Sequence, residues 1–199
     1  SVLDSAGAVT IAASDTSTIN AIVAALTASI AGGAVGVGVS IGGAFATNLI
    51  GSEMQALVKG STITATGAFT QTATAAETVR AAVVAGSAAI AAGGVGVGVS
   101  GSGVVAVNII TADIKAIIEG STVTAGSVAM KADDTSRIMA FAGSASIAVA
   151  LGGVGVGVSI GVALGHNMID NDVAALILDS TVTSTSGSIV VEALEHSQI

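Results

Sequence analysis

Apolar and small polar residues alternate along much of this chain, and the alternation predicts short β-strands. In Ser121-Thr-Val-Thr-Ala and in Val128-Ala-Met-Lys-Ala, every second residue is apolar or β-branched. A period of two is that of a strand, in which successive side chains point to opposite faces.

A long uncharged segment follows these short strands. Residues Ile138 to Ile169 contain no Asp, Glu, Lys or Arg and are interrupted by Gly152-Gly153. Downstream of that pair, Val154 to Leu164 alternates Val or Ile with small residues. Each of its glycines would cost a helix about 1 kcal/mol relative to Ala, so this half is predicted to be a strand.

The half upstream of the glycine pair is compatible with two structures. Ile19 to Ile30 and Val79 to Ala92 are Ala-rich and end near Gly-Gly, as a helix would. In the third copy, however, Ala142-Gly-Ser-Ala-Ser146 is a poor helix and a good flat strand. We therefore favour a long β-hairpin with both faces apolar and buried between layers. Its predicted turns are Gly32-Gly33, Gly93-Gly94 and Gly152-Gly153.

The same pattern recurs about every 60 residues. The hexapeptide VGVGVS begins at Val35, Val95 and Val154, so its spacings are 95−35 = 60 and 154−95 = 59. The repeat units are residues 1–60, 61–120 and 121–179, and residues 180–199 begin a fourth unit. We expect this fourth unit to continue beyond Ile199 in a longer protein.

An all-β fold follows from these patterns. Sixty extended residues would span about 200 Å, too long for one simple coil of a β-helix, so each unit must fold back on itself. The prediction is a repetitive β-solenoid-like or stacked β-hairpin rod with a period of about 60 residues. In it, Gly and Ala faces allow close sheet packing, and like strands of successive units pair or pack together.

The composition of the chain limits the classes of partner that it could bind. Charged residues make up 9% of the chain, the net charge is −8 and the mean hydropathy is +0.92. Nucleic acid is excluded as a partner because neutralising phosphates requires clustered cations. Long, uncharged strand edges favour pairing with another chain. We therefore expect self-association into a homo-oligomer or filament.

A family resemblance rests on the segments GGVGVGVSIGVAL, Asn167-Met-Ile, Val173-Ala-Ala-Leu-Ile and Ser180-Thr-Val-Thr. Their order resembles the repeats of giant bacterial surface proteins, the filamentous-haemagglutinin-like and leukotoxin-like β-strand-repeat adhesins. The resemblance implies secretion, an extracellular or cell-surface location, a β-solenoid-like rod and an adhesive role toward a host or neighbouring cell surface. It implies no catalytic residue.

Ser159, His166 and Asp170 are the only residues that suggest a nucleophile triad. The positions that match His166 in the other units are Thr47 and Val107, so the arrangement does not recur. The second histidine, His196, lies in a different segment. We predict neither catalysis nor a cofactor.

The remaining polar motifs are interpreted as structural. Asp170-Asn171-Asp172 and Asp133-Asp134 offer oxygen ligands for Ca²⁺, but they lack the glycine-containing loops of known calcium motifs, so we predict solvated turns and no metal. Acidic residues recur once per unit and would keep an apolar rod soluble, and asparagines recur as a buried amide ladder or as turn caps. These residues are Glu53, Asp113 and Asp172, and Asn48, Asn108 and Asn167.

Two alternative functions remain open. The uncharged stretches exceed the roughly 20 residues that cross a bilayer as a helix, so a membrane-inserted or pore-forming protein is the main alternative. Thr-x-Thr pairs recur once per unit, a spacing associated with flat ice-binding faces. These pairs are Thr62 and Thr64, Thr122 and Thr124, and Thr181 and Thr183.

Overall fold

The chain folds into β-strands throughout. In the computed structural model, which describes residues 1–199, 86% of the residues lie in strands and none lies in a helix. The all-β prediction is confirmed, and the helical alternative for the Ala-rich segments is wrong. The strands are β1 (Val2–Ser5), β2 (Val9–Asp15), β3 (Thr18–Lys59), β4 (Thr62–Ala65), β5 (Ala68–Ala75), β6 (Thr78–Glu119), β7 (Thr122–Ala125), β8 (Ser127–Asp134), β9 (Arg137–Ile169), β10 (Asp172–Leu178), β11 (Thr181–Ser184) and β12 (Ile189–Glu195).

These strands form three parallel sheets. One has the order β1-β4-β7-β11 and a second has the order β12-β8-β5-β2. In the third, β3 pairs with β6, and β9 and β10 pair with the other side of β6. The chain therefore visits the three sheets in turn and then pairs with itself, which is a β-solenoid-like architecture. We call each passage a coil: β1 to β3, β4 to β6, and β7 to β10.

The core lies where the three sheets meet. Its 17 buried residues come from the short strands and from the downstream ends of β3 and β6, and Phe69, Ile114, Ile118 and Met130 are among its largest side chains. Alternate residues of β5 and β8 point into it, as the period-two pattern predicts. We call this part of the molecule the body.

The rest of each long strand projects from the body as two facing arms. Threonine and serine hydroxyls of the two arms meet in every coil: the oxygen atoms lie 2.9 Å apart for Thr27 and Ser40 and 2.6 Å apart for Ser87 and Ser100. The chain reverses direction at the predicted glycines. We call this two-layered part, residues 21–47, 81–107 and 140–166, the extension.

The prediction of a hydrogen-bonded hairpin is wrong. The two arms of one coil do not pair with each other, because each arm pairs in parallel with the same arm of the next coil, as Val23 does with Val83 and Val37 with Val97. The arms are two layers packed face to face. The expected pairing of like strands in successive coils is what the structure contains.

Glycine makes this close packing possible. A Cβ atom on Gly36 would lie 2.7 Å from the backbone oxygen of Ala92, and one on Gly42 would lie 2.7 Å from that of Gly86. Sheets that pack through full-sized side chains lie about 10 Å apart, and these arms lie closer. In VGVGVS the valines therefore face outward, while the glycines and the serine face the opposite arm.

The outer faces of the extension are exposed, contrary to the expected burial between layers. Ile22 and Leu26 are 85% and 83% exposed, and Val154 is 60% exposed. Gly, Ala, Ser and Thr fill most of the space between the arms, where Val23, Val83 and Val104 are the only larger side chains, so the other large side chains point outward.

The turn at the tip of the extension depends on one glycine in particular. Gly152 has a φ of 156°, and a Cβ atom there would overlap the carbonyl oxygen of Gly93. We expect Gly152→Val to lower the free energy of unfolding by about 2 kcal/mol or more, the upper part of the usual cost of backbone strain. Gly153→Val should cost less, since a Cβ atom on Gly153 would lie 3.3 Å from the nearest oxygen.

Urea denaturation followed by circular dichroism measures this difference. Gly165→Val is the control, because a Cβ atom on Gly165 meets nothing within 4 Å. Equal denaturation midpoints for Gly152→Val and Gly165→Val would show that the turn is not where the structure places it.

Candidate functional site

One outer face of the extension is a regular array of valines. The strand pairing aligns Val35 with Val95 and Val95 with Val154, and the two following valines of each coil align in the same way. All nine side chains point away from the opposite arm. The array, which we call the valine face, consists of Val35, Val37, Val39, Val95, Val97, Val99, Val154, Val156 and Val158.

The opposite outer face, formed by the arm before the turn, is irregular. Leu26 lies over Gly86, where a Cβ atom would meet its Cδ2 at 2.7 Å. The ring of Phe141 lies over Gly143 in the same manner, with two ring carbons 3.0 Å from the position of a Cβ atom. Large side chains thus cover the glycines beside them, and this face has no repeated surface of its own.

The extension contains no charged residue. Asp, Glu, Lys and Arg are all absent from residues 21–52, 81–112 and 138–169, although the chain has a net charge of −8. The charge therefore lies in the body. Two extensions can approach each other without direct repulsion between charged side chains.

Both ends of the sheets are open. At one end, β1, β2 and β3 each have a paired neighbour on one side only. At the other end, the same holds for β9, β10, β11 and β12. Each end therefore presents rows of backbone N–H and C=O groups that can pair with another strand.

The recurrent asparagines form a ladder at the base of the extension. The Asn48 Nδ2 donates to the Asn108 Oδ1 at 2.7 Å, and the Asn108 Nδ2 donates to the Asn167 Oδ1 at 2.8 Å. Asn48 and Asn108 are buried. The amide ladder, one of the two predicted roles, is the one observed, and each amide satisfies the next.

A buried carboxyl group, Glu77, was not anticipated from the sequence. Ser52 donates a hydrogen bond to its Oε1, while its Oε2 is buried without a partner. Burial raises the pKa of Glu77, the hydrogen bond from Ser52 lowers it, and the neighbouring carboxylates of Asp15 and Asp134 raise it further. The signal that could have revealed it is a local exchange. The first and third coils and residues 180–199 each have an acidic residue followed two residues later by Ser, whereas the second coil has Ala75 and then Glu77.

All the candidate calcium ligands except Asp170 have protein partners, and the predicted solvated turn is wrong for Asp133-Asp134, since these residues end the strand β8 and Asp134 is buried. The Asn171 Oδ1 accepts from the backbone N–H of Ala112 at 2.8 Å, and its Nδ2 donates to the Asp134 Oδ2 at 2.7 Å. The Asp133 Oδ2 lies 2.8 Å from the Lys131 Nζ. Asp170 lines an open groove of about 410 Å³, and no group of three or more His, Asp or Glu side chains is arranged to hold a metal ion.

The recurrent acidic residues lie in one row. Glu53 pairs with Asp113 and Asp113 with Asp172 along the sheet. The Lys115 Nζ lies 2.6 Å from an oxygen of Asp113 and 3.3 Å from an oxygen of Asp172. These contacts raise the pKa of Lys115, the hydrogen bond to Asp113 having the largest effect. A lysine thus offsets the repulsion between stacked carboxylates.

The structure does not bring Ser159, His166 and Asp170 together as a catalytic triad. Ser159 faces the opposite arm and its Oγ donates to the Ser146 carbonyl oxygen at 2.6 Å, whereas His166 lies on the outer face of the same strand. Asp170 follows the end of that strand. His196 lies in the body, where its Nδ1 is 3.4 Å from an oxygen of Asp133.

The Thr-x-Thr pairs form a small array on the outside of the first sheet. Thr62 aligns with Thr122 and Thr64 with Thr124, and the pair in β11 extends both rows. Val2 and Asp4 stand at the equivalent positions of β1, so the array is three strands wide. Ice binding by this face stays an untested alternative.

The amide ladder predicts a large effect from a small change. Asn108→Asp removes the donor to Asn167 and places a carboxylate in a buried position. We expect it to lower the free energy of unfolding by about 2 to 3 kcal/mol at pH 7, the cost of unsatisfied buried polar groups. Asn20→Asp is the matched control because Asn20 is exposed, and urea denaturation of both variants gives the comparison. Equal losses of stability would contradict the ladder.

The buried carboxyl group of Glu77 predicts a pH dependence. Its folded pKa is raised above the ordinary value of 4.5, so above that pH the folded chain holds a proton that the unfolded chain releases. Stability should therefore fall as the pH rises from 4.5 through the raised pKa. Glu77→Gln should remove this dependence and stabilise the chain at pH 7 by about 1 kcal/mol or more.

Thermal unfolding between pH 4 and pH 8 tests this dependence. Glu53→Gln serves as the control because Glu53 is exposed. A Glu77→Gln variant with the same pH profile as the unmodified chain would mean that Glu77 is ionised in the folded state without cost.

Comparisons with protein families, curated proteins and solved structures find no match to this chain. Since no residue lies in a helix, the structure has no helical span that could cross a bilayer. The open sheet ends and the outer faces of the uncharged extension are the two features without a partner inside the chain.

Proposed function

We propose that this chain is a structural, self-associating segment of a repetitive β-solenoid-like rod with a unit of about 60 residues. Its units would be residues 1–60, 61–120 and 121–179, with 180–199 beginning a fourth. The function is assembly and display, without catalysis or a cofactor.

The observation that supports this proposal is the pair of open sheet ends. The 42-residue strand β3 has its only neighbour, β6, on one side. A strand of this length with a free edge is a template for another strand of the same register. Where successive coils contribute similar interface energies, a stack of them behaves as a one-dimensional lattice that grows from its ends.

The two ends differ in shape. The two sheets that contain β11 and β12 each have four strands stacked one above another. The third sheet has only three such levels, which are β3, β6 and the pair β9 and β10. If β1 of a second copy paired with β11, its β3 would lie two strand spacings, about 9.6 Å, from β9. Residues 180–199 would therefore keep the long strands of two stacked copies one strand apart.

The cellular role we propose is that of an adhesin or extracellular filament at a bacterial cell surface. This part rests on the resemblance of the GGVGVGVSIGVAL segments to β-strand-repeat adhesins. A host or neighbouring cell surface would be the partner, and nucleic acid would not. A rod that carries its charge in the body and an uncharged extension along its length suits such a role.

Membrane insertion is the second candidate, and the exposed apolar residues of the extension favour it. The unpaired edges of β3 and β9 oppose it, because hydrocarbon provides no partner for their backbone groups and each unsatisfied group costs several kcal/mol. Flotation with phosphatidylcholine vesicles separates the two functions. A rod stays in the aqueous fraction without detergent, and an inserted protein floats with the lipid.

Assembly is tested by light scattering and negative-stain microscopy over a range of concentrations. We expect filaments or end-to-end oligomers whose fibre diffraction shows a repeat of about 4.8 Å along the long axis. A variant that ends at Asp179 should grow faster, because its two ends then match strand for strand. A stable monomer at high concentration and moderate salt, in both chains, would contradict the proposal.

A further inference from the structure

The valine face is the largest regular surface of the chain without a partner. Every second residue from Val35 to Leu49 points outward, and the strand register repeats this row in three coils. The array contains no charge, and its valines are rigid side chains that lose little rotamer freedom on burial.

We propose that the valine face binds the valine face of a second copy of this chain, so that the rods associate laterally in pairs through their extensions. The inference rests on the proposed self-association and assigns it a surface separate from the sheet ends. The two copies would be related by a two-fold axis, since the same patch is used on both.

The regularity of the face identifies the occupant. Its valines recur at the strand spacing of about 4.8 Å along the stack, so a complementary surface must carry side chains at the same spacing. A second valine face meets this condition at the three valine positions of every coil, and identical side chains can interdigitate there as they do between paired sheets. The opposite face has different residues in each coil, such as Ile22, Ala82 and Phe141, and offers no such match.

The area is sufficient for a specific pair. The valine face and the outward residues that continue its rows to Leu49, Ile109 and Met168 together form a surface about 46 Å long and about 14 Å wide across three strands, or about 650 Å². Pairing two copies would therefore remove about 1,300 Å² from water, within the roughly 1,200 to 2,000 Å² of specific interfaces. Because this surface widens by one row with every coil, a longer rod would pair more strongly.

Lateral pairing of extensions is more favourable in water than in a lipid bilayer. In a pair of extensions the faces become buried while the backbone edges of β3 and β9 stay in water or pair end to end. In a bilayer the same edges would lie in hydrocarbon. The net charge of −8 does not oppose pairing because it lies outside the extension.

The test uses one substitution on each outer face of the central coil. Val97→Lys places a charge in the middle of the valine face, and Val84→Lys is the matched control on the opposite face. We expect Val97→Lys to raise the dissociation constant of the lateral pair at least about 100-fold in sedimentation equilibrium, and Val84→Lys to leave it unchanged. Retention of the β band in the infrared spectrum shows that a variant is folded.

Two milder substitutions, at Val97 and at Val84, cover the case in which Val97→Lys fails to fold. Val97→Thr keeps the shape of the side chain and adds a hydroxyl group, and we expect it to weaken the pair about tenfold, again with no effect from Val84→Thr. Weakening by the substitutions at Val84 and none by those at Val97 would overturn the assignment of the face.

Mass per length by electron microscopy separates this inference from the proposed rod. Lateral pairing would be supported if filaments of the unmodified protein have the mass of two chains at each coil level and filaments of the Val97 variants have the mass of one. Filaments with one chain per level throughout would overturn it and leave end-to-end assembly intact. Paired chains that never elongate would support pairing and refute the filament. Co-flotation of the unmodified chain with phosphatidylcholine vesicles, abolished by Val97→Lys, would overturn pairing in favour of lipid.

Discussion

The fold depends on the close contact between two backbone layers that have almost no side chain between them. At Gly36, Gly42 and Gly155, a Cβ atom would lie less than 3.0 Å from a backbone oxygen of the facing arm. The space is filled instead by small residues and by hydroxyl pairs such as Ser87 and Ser100. Since dispersion forces act only at contact distance, many small contacts there replace the few large ones of an ordinary core.

This constraint decides which side chains can be exposed. The facing surfaces hold Gly, Ala, Ser and Thr, with Val23, Val83 and Val104 as the only larger side chains, so every Leu and Ile and all other Val residues of the extension point outward. Because its large side chains point outward, such an extension has apolar outer faces, and one chain alone cannot bury them. The close contact within the arms is thus the physical origin of the valine face, and the parallel pairing of coils makes that face regular.

The sequence predicts the strands well because the same alternation that makes a strand also sorts Gly from Val. The spacing of Asn48, Asn108 and Asn167 indicates either an amide ladder or turn caps, and the sequence does not decide between them. The pairing of the arms is different. A hydrogen-bonded hairpin and two stacked layers both place Ser87 opposite Ser100, so the pattern of inward residues cannot separate them.

Two further features lie beyond the pattern. Whether the outer faces are exposed depends on whether another surface covers them. A row of apolar residues has the same sequence pattern in both cases. The burial of Glu77 depends on how the second coil fits between its neighbours, where the carboxyl group occupies a position that holds Ser17 and Ser136 in the adjacent coils. The exchange of Ala75 and Glu77 marks the site but does not specify its surroundings.

Disulfide formation in two double-cysteine variants measures the arrangement of the arms most directly, because the natural chain contains no cysteine. The hydroxyl oxygens of Ser87 and Ser100 lie 2.6 Å apart, so Ser87→Cys with Ser100→Cys should form an intramolecular disulfide readily. Ala88→Cys with Val99→Cys should form none, since these residues lie on opposite outer faces of the extension. A hydrogen-bonded hairpin would bring both pairs together, so disulfides in both variants would contradict the two-layered structure.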